Sequence, residues 1–273
     1  MQAFSAWVPP TGTLGRIVDE ARTRARALEQ RLAELEELAK RAVDVVPFAS
    51  GLRGDTVSVI AEVKRRSPSK GWIHPGMDAA KQARAYEAAG AKAISVLTEP
   101  DHFAGSIDDL SDVRRAVSVP VLKKDFHVDP IQLLEAKAIG ASAALLIARA
   151  LGPSQLPELI AAARELSLEV LVEIRDMGEL DLALEAGAAV IGINNRNLET
   201  LEIDPATSTR LLSRIPSSVI AIGESGVSNR ADVERLAEAG ADAILVGSSV
   251  SSAMDPRAAV RSLTGVARAA RGR

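Results

Sequence analysis

Eight runs of Val, Ile, Leu and Ala recur along the chain, near residues 57–63, 93–98, 119–124, 143–148, 168–173, 189–194, 218–223 and 243–247, and most are continuous rather than alternating. Continuous apolarity predicts strands covered on both faces, as in a parallel sheet. Between the runs, stretches near 78–89, 107–117, 130–139, 155–166, 176–186, 205–213, 229–239 and 256–269 carry helical patterns. Four near-repeats, EAAGAKAISVL, KAIGASAALLI, LEAGAAVIGIN and AEAGADAILVG, place Gly90, Gly140, Gly187 and Gly240 between a helix end and a strand, where a left-handed turn closes the helix. Eight strand-plus-helix units predict an α/β fold, a (β/α)8 TIM barrel, with its active site at the C-terminal strand ends. A doubly wound open sheet is the rival. It would place a Gly-rich turn after the first strand, and here that position reads Lys64, Arg65, Arg66, Ser67, Pro68.

Residues 1–55 stand apart as a predicted N-terminal helical extension packed on the barrel, with the catalytic barrel itself spanning 56–273. Leu14, Val18, Ala21, Ala25, Leu28, Leu32, Leu35 and Ala39 alternate spacings of four and three. That stripe suits either a helix lying against the barrel or a two-stranded seam. The expected state is a monomer, with a dimer through this helix as the alternative. VVPFASGLRGD, which follows, reads as a second short helix or a loop over one barrel mouth.

Polar side chains interrupt the apolar runs at their C-terminal ends. On a strand, residues i and i+2 share a face, so Glu62 and Lys64 point the same way as Ile60, into what would otherwise be core. Lys124, Glu173, Asn194 and Glu224 close later runs in the same manner, with Arg196 just beyond. Such charges are costly to bury, so a ring of them marks an enzyme's site. Small residues follow the last two strands: Ser225 and Gly226, then Gly247 and Ser248. Their backbone N–H groups suit a phosphate, which barrels commonly bind there.

Composition narrows the function classes. A formal net charge of -3 over 273 residues argues against nucleic acid as main partner. The chain has no Cys, which excludes disulfides and thiolate chemistry. No apolar run is long enough for a bilayer, and the start MQAFSAWVPP lacks the order of a secretory signal; no membrane partner and a cytoplasmic location are expected. His74, His102 and His127 share no ligand spacing and read as surface or loop residues, with no metal site.

Taken in order, IAEVKRRSPSKG, ISVLTEPDHFAGSIDDL, VLKKDF, LLIARAL, LVEIRD, IGINNRNLETLEID, ESGV and LVGSS resemble the indole-3-glycerol-phosphate synthase family of tryptophan biosynthesis, from about residue 13 to the C-terminus. The resemblance implies ring closure of 1-(2-carboxyphenylamino)-1-deoxyribulose 5-phosphate, a small-molecule sugar phosphate, with loss of carbon dioxide and water and with no cofactor. By resemblance Lys124 is the leading general acid and Glu173 the base or second acid in dehydration. Lys64 donates a proton, binds the phosphate or holds the substrate carboxylate. Glu62 and Glu224 orient the lysines and hold substrate hydroxyls, Asn194 contacts a developing hydroxyl, and Arg196 supports a carboxylate or touches the substrate's. Pro68, Phe103, Phe126, Leu145, Leu198 and Leu201 are the implied slot for the anthranilate ring, with Ser67 adding a hydroxyl. His127 and Arg149 depart from the uncharged residues the family pattern leads one to expect, and Trp72 and His74 alter the first loop; loop motion and product release are where these departures are expected to act. A phosphoribosyl-anthranilate or histidine-pathway isomerase would share the fold but is expected to use Cys/Asp or paired Asp groups. A silent sugar-phosphate-binding barrel is the remaining reading, opposed by the joint presence of Lys64, Lys124, Glu173 and Asn194.

Overall fold

The computed structural model describes residues 7–42 and 45–271; positions 1–6, 43–44 and 272–273, part of the predicted extension and the last residues of the tail, lie outside them. Eight strands, β1 (Ser58–Val63), β2 (Ala93–Leu97), β3 (Val121–Lys124), β4 (Ala143–Ile147), β5 (Glu169–Ile174), β6 (Val190–Asn194), β7 (Ile220–Glu224) and β8 (Ala243–Val246), each begin and end within two residues of the predicted runs. They pair in parallel and in sequence order, and β8 closes on β1. The (β/α)8 barrel is therefore the fold. Both strand faces are buried because helices cover the outside, which is why the runs are continuously apolar.

Helix starts follow local chemistry. Asp78, Ser106, Asp129, Asp176, Asn229 and Asp255 each accept a backbone N–H in the first turn of the helix that follows, satisfying donors that no helical carbonyl reaches. The four near-repeat glycines take φ from 78° to 101°, so each helix turns into its strand without steric cost.

Two expectations on helices need correction. The helix after β4 starts at Ala148, directly off the strand, and breaks at Gly152 (φ 69°) before continuing to Glu165; Pro153 restarts it where a missing N–H costs nothing. The last helix stops at Arg261 instead of 269. Gly265 takes φ 74° and turns the chain so that Val266 accepts from Val57 N at 2.8 Å and Ala267 bridges Thr56. Arg268 and Arg271 then both pair with buried Asp242, whose carboxylate also accepts from Ala221 N at 2.7 Å. The tail seals the end of the barrel opposite the site.

The N-terminal stripe divides between two helices, α1 (Gly12–Leu28) and α2 (Leu32–Arg41), joined by a 3-10 turn. Leu14, Ile17, Val18 and Ala21 join the barrel's own core, while Ala25 and Leu35 pack with Ile131. Leu32 is 44% exposed because the 3-10 turn rotates it off the stripe. Among the described residues no helix is long and apolar enough to cross a membrane.

Candidate active site

Strand parity sets the site. In β3 the consecutive Lys123 and Lys124 take opposite faces: Lys123 turns outward to Glu135 at 2.9 Å, and Lys124 turns into the barrel. In the interior, Glu62 sits opposite Ser95, Glu173 opposite Gly192, and Asn194 opposite Glu224. One cavity of 220 Å³ at the C-terminal strand ends gathers every residue expected to act or bind: Glu62, Lys64, Ser67, Pro68, Phe103, Lys124, Phe126, Leu145, Glu173, Asn194, Arg196, Leu198, Leu201, Glu224, Ser225, Gly226, Gly247 and Ser248.

The polar groups form two linked sets. Lys124 Nζ donates to Glu173 Oε2 at 3.0 Å and lies 3.4 Å from Glu224 Oε2. Asn194 Nδ2 donates to the other Glu173 oxygen at 2.9 Å, and its own Oδ1 accepts from Arg196 N at 2.9 Å. Lys64 Nζ donates to Glu62 Oε1 at 3.0 Å, and Ser95 Oγ donates to Glu62 Oε2 at 3.2 Å. Arg196 donates to the Leu201 carbonyl at 2.7 Å, which fixes the loop carrying Leu198 and Leu201.

Three buried carboxylates face two ammonium groups, and the charge imbalance decides the protonation states. Burial opposes the Lys124 ammonium, but Glu173, Glu224 and Glu62 outweigh it and hold its pKa above the ordinary lysine value. Burial likewise opposes the Glu62 carboxylate, and Lys64 and Lys124 overcome it, lowering its pKa. Glu224 is the third carboxyl: burial, against the pull of Lys124 and with Glu173 and Glu62 adding repulsion, pushes it up to about 8. Glu173 holds the closer contact with Lys124, so the spare proton belongs on Glu224. Its Oε1 is buried without a partner, as suits a carboxylic acid awaiting a ligand. Two glycines make room for these groups. A Cβ at Gly192 would collide with Glu224 Oε1, and one at Gly247 with Glu62 Oε1.

This assignment has a thermodynamic signature. Folded Glu224 keeps a proton that the unfolded chain releases from about pH 4.5, the reference value, to about 8, so its contribution to stability falls as pH rises through that window. Glu224→Gln removes the titration. The variant's Tm, measured by calorimetry from pH 5 to 8.5, is expected to rise relative to wild type as pH increases; a constant difference would place the proton elsewhere.

An apolar wall adjoins the charges. Phe103 and Phe126 meet tilted by 37°, with centroids 6.2 Å apart, and the Lys64 ammonium lies 5.7 Å from the Phe103 ring centroid. At the other side, Ser225 takes φ 65° and Gly226 φ 83°, a backbone that costs a serine roughly 1 kcal/mol. Asn195 Nδ2 donates to the Ser225 carbonyl at 2.9 Å and its Oδ1 accepts from Ser208 N at 2.9 Å, holding that turn in place. Ser249 Oγ donates to the Val227 carbonyl at 3.1 Å, joining the two loops expected to cradle phosphate.

Sequence reasoning missed several contributors. Thr13, Leu14 and Ile17 of α1 line the cavity, as do Lys70, Asp125 and Ile203. Buried Asn195 had only its neighbour Asn194 as a signal. His127 packs inside the loop after β3, 2% exposed; its Nδ1 donates to the Leu145 carbonyl at 2.7 Å, and burial, with Lys123 nearby, drives its pKa down to about 3, so it is neutral. His102 pairs with Glu20 at 2.6 Å, and His74 is exposed. Arg149 spans Val8 O at 2.7 Å and Glu199 at 2.8 Å, tying the N-terminal segment to the loop after β6.

Comparison with known proteins gives a family and a fold. Residues 14–263 match the family model described as Indole-3-glycerol phosphate synthase. Indole-3-glycerol phosphate synthase 2 of Streptomyces coelicolor is 46% identical over 258 residues, covering 93% of this chain and 100% of that protein. Indole-3-glycerol phosphate synthase of Mycolicibacterium vanbaalenii is 47% identical over 252 residues, 92% of this chain and 93% of its own. Among solved structures, thiamine phosphate pyrophosphorylase from Pyrococcus furiosus superposes with a TM-score of 0.58 at 16% identity, covering 76% of this chain and 93% of that one; that likeness concerns the fold alone.

Proposed function

The chain belongs to the indole-3-glycerol phosphate synthase family, and from that premise we propose which residues carry the ring closure of 1-(2-carboxyphenylamino)-1-deoxyribulose 5-phosphate. The protein is a carbon-carbon lyase acting on a small-molecule phosphate, releasing carbon dioxide and water. The observation that carries the assignment is the linked set Lys124, Glu173, Asn194 and Glu224 facing Lys64 and Glu62 across one cavity.

Lys124 gives its proton to the substrate carbonyl as the aryl carbon attacks, and the C–C bond closes the ring. The carboxylate then leaves as carbon dioxide, its bonding electrons restoring the aromatic ring. A second proton carries the new hydroxyl out as water, while Glu173 takes the proton from the carbon next to nitrogen. Lys64, held by Glu62, suits the second donation, and Glu224, neutral below about pH 8, hydrogen-bonds the departing hydroxyl. Asn194 fixes the Glu173 carboxylate and faces the same hydroxyl. Arg196 meets the substrate carboxylate, its nearest acidic alternative being absent from its hydrogen bonds.

The anthranilate ring lies against Phe103, Phe126, Pro68, Leu145, Leu198 and Leu201, and Ser67 reaches it from the first loop. Phosphate sits between Ser225–Gly226 and Gly247–Ser248, with Lys64 as the neighbouring cation. Residues 1–55 belong to the catalytic unit as an extension of the 56–273 barrel, since α1 supplies cavity wall. The stripe's burial within the chain favours a monomer, and a cytoplasmic location suits a biosynthetic enzyme with this composition. Turnover of the substrate, followed by indole fluorescence, tests the reading. Indole formation that inorganic phosphate inhibits competitively is expected; substrate binding without indole would leave only a silent sugar-phosphate binder.

A further inference from the structure

A second cavity, of 160 Å³, adjoins the main one and shares Leu14, Ile147, Glu173, Asn194, Arg196 and Leu198 with it. Its far side is formed by Asp176, Glu179 and Glu199. We propose that Glu179 is a proton relay for this reaction, taking a proton from solvent and passing it through this cavity to Glu173. The inference rests on the family activity and on the role given to Glu173 above.

The reaction's own balance creates the need. One proton goes to the carbonyl oxygen and one to the departing hydroxyl, while only one returns from carbon. Loss of the carboxylate as carbon dioxide leaves that difference uncompensated, so each turnover consumes one proton from water. The donors are Lys124 and Lys64, and the route by which Lys124 is recharged is its hydrogen-bonded partner Glu173, 3.0 Å away and only 3% exposed. Substrate bound as proposed above fills the main cavity and narrows that route while the chemistry runs. The adjoining cavity is the other way in.

Its walls suit the task. Glu179 is half-buried, lying between cavity and solvent, and one oxygen accepts from Arg175 N at 2.7 Å, leaving the other for exchange. The charged groups around the cavity are Glu173 from β5, Arg175 and Asp176 after it, Arg149 after β4, and Arg196 and Glu199 after β6. Arg149 is engaged by Glu199 at 2.8 Å and Arg196 by the Leu201 carbonyl, so neither pairs with Glu179. Burial, with Asp176 adding repulsion, lifts the Glu179 pKa to about 7, where a carboxyl both accepts and gives protons at neutral pH. Buried Arg175 Nε has no protein partner, and a polar cavity this size holds several waters at roughly 30 Å³ each. Those waters complete the path between the two carboxyls.

Glu179→Gln tests the proposal, because glutamine still accepts from Arg175 N but carries no proton. Indole fluorescence and a pH indicator are followed together in weakly buffered solution, first in a single turnover and then in many. Wild type is expected to take up one proton per indole before the released carbon dioxide hydrates to bicarbonate and returns one. The variant is expected to complete its first turnover at close to the wild-type rate, using protons already on the site, and then to slow about tenfold or more in both proton uptake and later turnovers. KM should not change, and imidazole buffer, a small acid able to enter the cavity, should restore the rate. Proton uptake and turnover at the wild-type rate would overturn the relay. So would a slow first turnover or failure of imidazole to rescue, either of which makes Glu179 a structural cap. A wild type that makes no indole would instead sink the catalytic reading itself.

Discussion

Lys124→Ala is expected to lose at least about a hundredfold in kcat, within the range by which a positioned general acid accelerates a reaction. Its ammonium is in contact with both Glu173 and Glu224, and removing it deletes the first proton donor while leaving the three buried carboxylates with Lys64 as their neighbouring ammonium. Lys124→Arg separates charge from proton transfer. A guanidinium keeps the positive charge but does not release its proton, so this variant should bind product nearly as wild type does and remain just as slow. Indole fluorescence gives the rate and calorimetric titration of product the affinity. Recovery of activity by arginine would show that Lys124 acts only as a fixed charge, and Lys64 would become the first acid.

Glu173→Gln is expected to cost a similar factor, again about a hundredfold or more in kcat. Glutamine is nearly isosteric and still accepts from Lys124, while its NH2 group faces Asn194 Nδ2 and gives up that one hydrogen bond. What disappears is a base able to take the proton from carbon. Substrate KM should therefore move little, and a deuterium at that carbon should slow the variant more than wild type because proton removal becomes limiting. A large rise in KM with kcat preserved would mark Glu173 as a substrate ligand.

Much of this site was legible because strand parity is strict. Once β1 is a strand with Ile60 inward, Glu62 and Lys64 must follow it, and the same holds for Lys124, Glu173 and Asn194. Their gathering in one cavity follows from barrel closure. Helices are less informative. The stripe of α1 says that a face is buried but not against what, so Leu14 was readable as packing and not as cavity wall, and Ile17, off the stripe, was not readable as either. Asn195 supports the Ser225 turn through contacts 30 and 13 residues away, which no local pattern encodes. The overlong last helix has a similar cause: an apolar, charge-flecked tail looks helical, and the tertiary bond from Val57 N to Val266 O, with the turn at Gly265, decides otherwise. That His127 would be a loop residue was legible, but its burial was not, because its bond is to the carbonyl of a neighbouring strand.

The two glycines that leave space for Glu224 and Glu62 also constrain how this barrel can change through descent. Gly192→Ala or Gly247→Ala would ordinarily pass as the smallest of replacements, yet each sets a methyl group against a carboxylate oxygen. A lineage that gained either methyl first would have to swing that carboxylate end away from its present partners. One that lost the carboxylate first would be free to fill the space afterwards. New activities on this scaffold therefore have a preferred order of mutational steps, with the acid surrendered before the floor of the cavity is rebuilt.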